Sequence, residues 1–423
     1  MARSSAAAAQ VRDALARARE AERALARRPA REVLAGLAQA LDLLRDPAAP
    51  PHQELLRSLP EATGFSPEVV REGLRVALSE WTGETLLRAV ESELGPGLGE
   101  TGPRHARGFP TTAVLLAGAL PCPTLAALLA PLALRSGVVA KPSLHDPCTA
   151  RVLAETLLGV DPGLGASLQV VEFRSEEDPA TEALLQADCV VASGSDATMA
   201  RVARGVAPPR RFVAYGHRVS VAVLGPTAAS HEGLDEAAAA LAMDVSLWDQ
   251  LGCLSPVAVY LLGTRGRVPG KTLESFANAF TNIEKTLPRG RVALQAASDW
   301  AAERDAAELR AASGKGVALR TGAGFTVVAE ADAAWRGSPL HRFLRIHPVP
   351  DLESLEAALH PIAPHLAAVG VAGLDEAARR ALARSGASRI CPLGRMQAPP
   401  LAWCHDGRPW LLPLARLCEL EDG

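Results

Sequence analysis

Hydrophobic positions fall into two regimes along this chain. Up to about residue 100 they recur at helical spacing between prolines and glycines, with no convincing strand, and the segment reads as an N-terminal helical region. From Thr111 the pattern changes to short β-rich runs separated by helical stretches. The runs are 111–116, 137–140, 168–173, 189–192, 212–214 and 219–224, followed by 257–262, 292–294, 324–328, 343–348 and 366–369. Alanine-rich 234–243 reads as a helix, as do 273–287 and 352–360. Strands alternating with helices predict an α/β fold with a mostly parallel sheet covered on both faces. The divisions this suggests are 1–104 (helical region), 105–240, 241–400 and a C-terminal segment 401–423, with no internal repeat.

Composition narrows the class. With 423 residues, 48% of them hydrophobic, the chain can build two or three domain cores. Its net charge of -3 gives no electrostatic reason to expect nucleic acid or an anionic membrane as partner, and 4% aromatic content argues against base-stacking surfaces. Seven scattered cysteines without a CxxC pair suit a reducing compartment rather than a disulfide framework, and no metal spacing is present. The Ala- and Arg-rich stretch 6–31 is interrupted by Asp13, Glu20 and Glu22, so it reads as an ordinary helix rather than a targeting peptide. The most apolar stretch, 114–134, is broken by Pro121, Pro123 and Pro131, and no membrane span is expected. A cytoplasmic protein is the expectation.

The candidate chemistry centres on Trp248-Asp249-Gln250-Leu251-Gly252-Cys253-Leu254-Ser255-Pro256, which places Cys253 in a tight turn before a strand. Such a thiol can carry a covalent acyl group when its surroundings activate it and leave it reachable. Lys141, followed by Pro142 and Ser143, ends a strand at the sheet edge where α/β proteins bind ligands, and its ammonium suits a ribose hydroxyl or the extra phosphate of NADP. Gly194 and Ser195 follow another strand and open a helix; Gly194 admits close approach to the backbone, and Ser195 or Asp196 can cap the helix. A plain structural turn uses the same residues. His217 reads either as an acid or base or as a residue packed under a loop, and spacing leaves a Cys-His dyad open.

Taken in order, Gly118-x-x-Pro121, Lys141-Pro142-Ser143, Ser193-Gly194-Ser195-Asp196, Tyr215-Gly216-His217-Arg218-Val219-Ser220 and Asp249-Gln250-x-x-Cys253-Leu254-Ser255-Pro256 resemble the acyl-CoA reductase (LuxC) family. The far end, Arg389-Ile390-Cys391-Pro392-Leu393-Gly394-Arg395-Met396-Gln397 with Trp403 and His405-Asp406-Gly407-Arg408, resembles that family's C-terminal signature. The family is similar to the aldehyde dehydrogenases. The resemblance therefore implies a Rossmann-type NADP-binding domain at 105–240, a catalytic α/β domain at 241–400 and a homo-oligomer. It implies Cys253 as nucleophile toward a fatty acyl-CoA or acyl-protein thioester, NADPH as hydride donor, and Lys141, Ser143, Gly194 and Ser195 as cofactor-binding residues. A separate acyl transferase is a possible partner. Two rival expectations accompany it: a CoA-acylating or general aldehyde dehydrogenase with a shorter substrate, and a degenerate member that binds an acyl chain or partner without turnover. Two departures bear on these. Val213–His217 lacks the glutamate with which aldehyde dehydrogenases activate water, and Ala119 stands where the family has an asparagine expected to steady the oxyanion. Loss of one such donor typically costs about 2.7–4 kcal/mol. Met396, Gln397, Trp403 and His405 receive no role.

Overall fold

The computed structural model describes residues 2–101, 104–174, 178–230 and 233–421. They form two compact units: the first takes residues up to 63, 77–217 and from 400 onward, and the second takes 64–76 and 218–399.

The first unit is built on a five-stranded sheet. After a short strand β1 (Arg104–Gly108), the sheet strands are β2 (Thr111–Leu115), β3 (Gly137–Lys141), β4 (Leu168–Val170), β5 (Cys189–Ser193) and β6 (Arg211–Tyr215). Their order is β4-β3-β2-β5-β6, and every neighbouring pair is parallel. The chain winds outward from β2 through β3 to β4 and then returns to the other side of β2 for β5 and β6. Between β2 and β5 the winding reverses, and the crevice at their carboxyl ends is where such sheets bind ligands. The first helix, Ala2–Leu25, does more than coat the surface: Ala8, Val11, Ala14 and Ala18 are buried in one cluster with Ala113, Val139, Val190 and Ala192 of the sheet. Small residues allow that approach. A Cβ at Gly137 would lie 2.1 Å from the Ala18 carbonyl oxygen.

The second unit holds a seven-stranded sheet of β7 (Val219–Leu224), β8 (Pro256–Leu262), β9 (Ala318–Thr321), β10 (Thr326–Ala329), β11 (Phe343–Val349), β12 (Leu366–Ala372) and β13 (Arg389–Pro392). The order is β13-β12-β7-β8-β11-β10-β9, parallel throughout except for the antiparallel edge pair β10–β9. Every residue of β8 and β11 is buried, as a parallel strand covered on both faces requires. Alternate residues serve two cores. Ala222, Leu224, Val259 and Leu261 pack with the helices Leu234–Ser246 and Gly270–Glu284, while Val221, Val223, Ala258 and Tyr260 pack with the helix Leu352–Leu359 on the opposite face. The chain then returns to the first unit. Glu93 accepts hydrogen bonds from the amides of Trp410, Leu411 and Leu412 at 2.7–3.0 Å, and β14 (Ala415–Glu419) pairs antiparallel with β1.

The α/β architecture and the helical N-terminus agree with the sequence expectation. Strands β1, β9, β13 and β14 lie outside the expected runs, and one expected strand is absent. The strand expected at 292–294 is instead the approach to a 19-residue helix, Leu294–Ala312. This stretch is rich in Ala, Glu and Arg, strong helix formers, and Ala307 is its one fully buried residue, so no apolar stripe announced it. No helix among the described residues is long and apolar enough to cross a membrane.

Candidate active site

The cysteine turn lies in the second unit. Helix Leu234–Ser246 ends two residues before Trp248, Asp249 and Gln250, which hold φ values of 58°, 49° and 65°. Left-handed backbone costs a non-glycine residue on the order of 1–2 kcal/mol. Three in succession must therefore be held from outside. Gly252, Cys253 and Leu254 follow as a turn, and Pro256 starts β8, so Cys253 sits at the amino edge of the seven-stranded sheet. Its carbonyl accepts a 2.6 Å hydrogen bond from Ser220 Oγ, which itself accepts from the Ala368 amide at 3.1 Å. Through Ser220 the turn is fixed to β7 and β12.

A second left-handed run, Leu340, His341 and Arg342, with φ of 63°, 53° and 67°, leads into β11. The two runs are bonded together. Arg342, with no exposed side-chain surface, donates from Nε and Nη2 to Asp249 Oδ1 at 2.9 and 2.6 Å, while the Gly290 amide donates to Asp249 Oδ2 at 2.9 Å. Gln250 reads the Phe343 backbone both ways, accepting from its amide at 2.9 Å and donating to its carbonyl at 3.0 Å; the same amide group donates to Pro256 O at 3.0 Å.

A further brace comes from the C-terminal signature. Asp244, fully buried, accepts from the amides of Gly394 at 2.6 Å and Met396 at 3.0 Å, and Gln397 Nε2 donates to the Asp244 carbonyl at 3.1 Å and to Ser255 Oγ at 3.2 Å. Burial pushes the Asp244 carboxyl up to about 7, against the opposing pull of those amides. Arg389 closes the segment by donating to the carbonyls of Met396, Arg395 and Ala398. The signature thus backs the cysteine turn, a role that residue spacing did not suggest. Among the cysteines, Cys253 is half-buried, whereas Cys122, Cys148, Cys189 and Cys391 are buried. Desolvation pushes the thiols of Cys122 and Cys189 up to about 12 and that of Cys391 to about 11, which leaves these three as inert core residues.

The other candidates gather on the carboxyl edge of the five-stranded sheet in the first unit. Leu115 of β2 pairs with Lys141 on one side and Ala192 on the other, so the segments after β2, β3 and β5 emerge side by side. Lys141 is largely buried, its Nζ 5.4 Å from the centre of the Phe173 ring. Ser143 Oγ accepts from the His145 amide at 3.1 Å. Gly194, at φ 151°, takes a conformation that disfavours a side chain, and its amide donates to the Tyr215 carbonyl at 3.1 Å. Ser195 caps the helix Asp196–Gly205, accepting from the Thr198 amide at 3.2 Å. A fixed ammonium, a glycine turn and a helix amino terminus on one sheet edge fit a phosphate-bearing nucleotide. His217 is exposed and its amide donates to Asp196 Oδ1 at 2.9 Å.

At the end of β6 stands a feature that sequence reading missed. Tyr215 stacks on His405 with ring centres 4.6 Å apart, Trp403 lies 4.9 Å from His405, and Arg408 lies 4.8 Å from the Tyr215 ring while donating to the Ala214 carbonyl at 2.5 Å. The C-terminal residues therefore divide: Met396 and Gln397 serve the cysteine turn, and Trp403 and His405 belong to the first unit. Among the described residues, no cluster of three or more metal-ligating side chains occurs.

The family model described as acyl-CoA reductase (LuxC) matches residues 25–419. The chain belongs to this family. Curated relatives of this acyl-CoA reductase family member include a long-chain acyl-protein thioester reductase of Vibrio harveyi, 28% identical over 222 residues that make up 50% of the chain and 46% of the relative. Another, of Aliivibrio fischeri, is 24% identical over 86% of the chain and 77% of its own length. The chain thus matches about half the length of the first relative. Solved structures of the same fold include an NAD-dependent benzaldehyde dehydrogenase from Corynebacterium glutamicum, with TM-score 0.73, 17% identity and coverage of 98% of the chain and 89% of the neighbour. The aldehyde dehydrogenase KauB from Pseudomonas aeruginosa gives TM-score 0.75, 15% identity and coverage of 98% and 88%. The fold of this reductase family member is aldehyde-dehydrogenase-like, as its motifs implied.

Proposed function

We propose that this protein reduces a long-chain acyl thioester to the aldehyde, with NADPH as the hydride source and Cys253 as the nucleophile. The observation that carries the reading is the family match across residues 25–419, coupled to a half-buried thiol on a turn that three separate networks hold in place. In this reading the Cys253 thiolate adds to the thioester carbonyl carbon, the bond from that carbon to the carrier sulfur breaks, and the carrier leaves as its thiol after taking up a proton. Bound NADPH would supply the hydride that takes the acyl group to the aldehyde level. Cleavage of the Cys253 carbon–sulfur bond then frees the aldehyde and restores the thiolate. Lys141 and Ser143 would hold the adenosine ribose and its phosphate, and Gly194 with Ser195 would border the pyrophosphate.

The absence from 213–217 of the glutamate with which aldehyde dehydrogenases activate water favours reduction over hydrolysis. Where an aldehyde dehydrogenase needs a base to activate water, this chain places Tyr215 against His405 and Arg408. Hydrolysis would divert the acyl-enzyme to free acid. Purified protein mixed with long-chain acyl-CoA and NADPH should yield aldehyde and free CoA in equal amounts, with Cys253→Ser silent and nucleotide binding retained. Release of fatty acid instead of aldehyde would overturn the reading. Comparing acyl-CoA with an acylated protein as donor assigns the physiological carrier.

A further inference from the structure

We infer that the buried Asp249–Arg342 pair is the positioning device for Cys253. The inference rests on the reading that Cys253 is the nucleophile. Each partner lies within a left-handed run, Asp249 in the middle of 248–250 and Arg342 at the end of 340–342. Such backbone persists at non-glycine residues only where the surroundings over-determine it. Buried ion pairs add little stability compared with well-packed apolar groups, so the pair at this place suits a role in setting one conformation over another.

The bonding has the form that role requires. Arg342 uses its guanidinium in five hydrogen bonds: two to Asp249, one to Glu284 at 2.7 Å, one to the Leu287 carbonyl at 2.8 Å and one to the Ser246 carbonyl at 3.3 Å. A planar fork reaches all of these acceptors; a lysine cannot. Ser246 ends the helix before the cysteine turn, so Arg342 grips the start of the left-handed run as well as its middle, and Gln250 locks the end onto Phe343. The far flank of the turn is tied independently, by Ser220 at the Cys253 carbonyl and by Gln397 at Ser255. Only Leu251 and Gly252 separate the clamped run from the sulfur-bearing residue. Release of the clamp lets 248–250 relax and swings the thiol on a tether fixed at its other end.

The test compares Asp249→Asn and Arg342→Lys with the parent in a single-turnover reaction that follows CoA release from a long-chain acyl-CoA without nucleotide. The rate constant per reacting site does not depend on the folded fraction, which the amplitude reports separately. Acylation should slow by at least thirtyfold in both variants, while NADPH affinity, read by fluorescence, stays within about twofold. Rates within threefold of the parent in folded variants would overturn the inference. Should neither variant fold, Glu284→Gln, which weakens the outer and partly exposed contact of Arg342, should slow acylation about threefold or more, and an unchanged rate would overturn it equally. Should the parent itself form no adduct on Cys253, the functional reading fails. The clamp is then judged by iodoacetamide alkylation of Cys253, whose rate must change at least fivefold in Asp249→Asn for the positioning role to stand.

Discussion

Asp244→Asn isolates the brace between the C-terminal signature and the cysteine turn. In the folded chain burial raises the Asp244 carboxyl from 3.8 to about 7. The native state therefore binds this proton more tightly than the unfolded state does. The resulting stabilisation is fully present below about pH 4 and is lost as pH rises through 7. Three pKa units correspond to roughly 4 kcal/mol, and about 3 kcal/mol of that change falls between pH 5 and 8. Asparagine keeps the shape but does not titrate. Its amide nitrogen faces one of the backbone amides that the carboxylate accepts from, at Gly394 or Met396. The assay is urea unfolding of parent and variant at pH 5, 6, 7 and 8, followed by tryptophan fluorescence. The stability gap in favour of the parent should shrink by about 3 kcal/mol across that range, since every other titrating group cancels in the difference. A gap that stays constant within about 0.5 kcal/mol, or that widens with pH, would refute the reasoning, because it would mean that Asp244 is ionised throughout and held as a carboxylate by its two amides.

Other perturbations reach the same machinery from different sides. In Gly73→Ala the new Cβ would lie 2.3 Å from the ring of buried Trp248, the first residue of the left-handed run; overpacking of about 1–3 kcal/mol outweighs a helix gain of up to about 1, so thermal unfolding should move down by several degrees, and an unchanged midpoint would show that the ring is free to shift. Ala119→Asn restores the amide expected from the family at the edge beyond β2; turnover should rise severalfold in steady-state assays if that donor is lacking, and an equal rate would mean that another group already holds the oxyanion. His341→Asn places a residue tolerant of positive φ in the second left-handed run and should leave the melting temperature unchanged or slightly higher; a drop of several degrees would show that His341 contributes packing that outweighs backbone strain.

The alternation of strands and helices made the α/β fold legible, because buried parallel strands such as β8 and β11 are continuous apolar runs bounded by turn residues. The Cys253 turn and the Lys141 and Gly194 turns were legible for a related reason: each stands directly after or before such a run. Edge elements were not. Strand β9 is mostly exposed and reads Ala-Leu-Arg-Thr, and β1 and β14 pair only with each other, across more than 300 residues of chain, as Arg104 with Glu419. The clamp was hidden more deeply. Asp249 and Arg342 are 93 residues apart, and nothing local tells a buried arginine from a solvated one. Left-handed backbone at Trp248, Asp249 and Gln250 has no sequence signal either, since none of the three is a residue that seeks it strongly; it is imposed by partners brought up through the fold. The stack of Tyr215 on His405 was missed for want of the same information, with β6 and the C-terminal segment 194 positions apart at the Arg408 to Ala214 contact.

The most direct test is intact-protein and peptide mass spectrometry after brief exposure to a long-chain acyl-CoA in the absence of nucleotide. One acyl group per chain should appear, located on the peptide bearing Cys253, and it should vanish on addition of NADPH with aldehyde formed in the same amount. An acyl group found on any other residue, or an adduct at Cys253 that NADPH leaves untouched, would contradict the account.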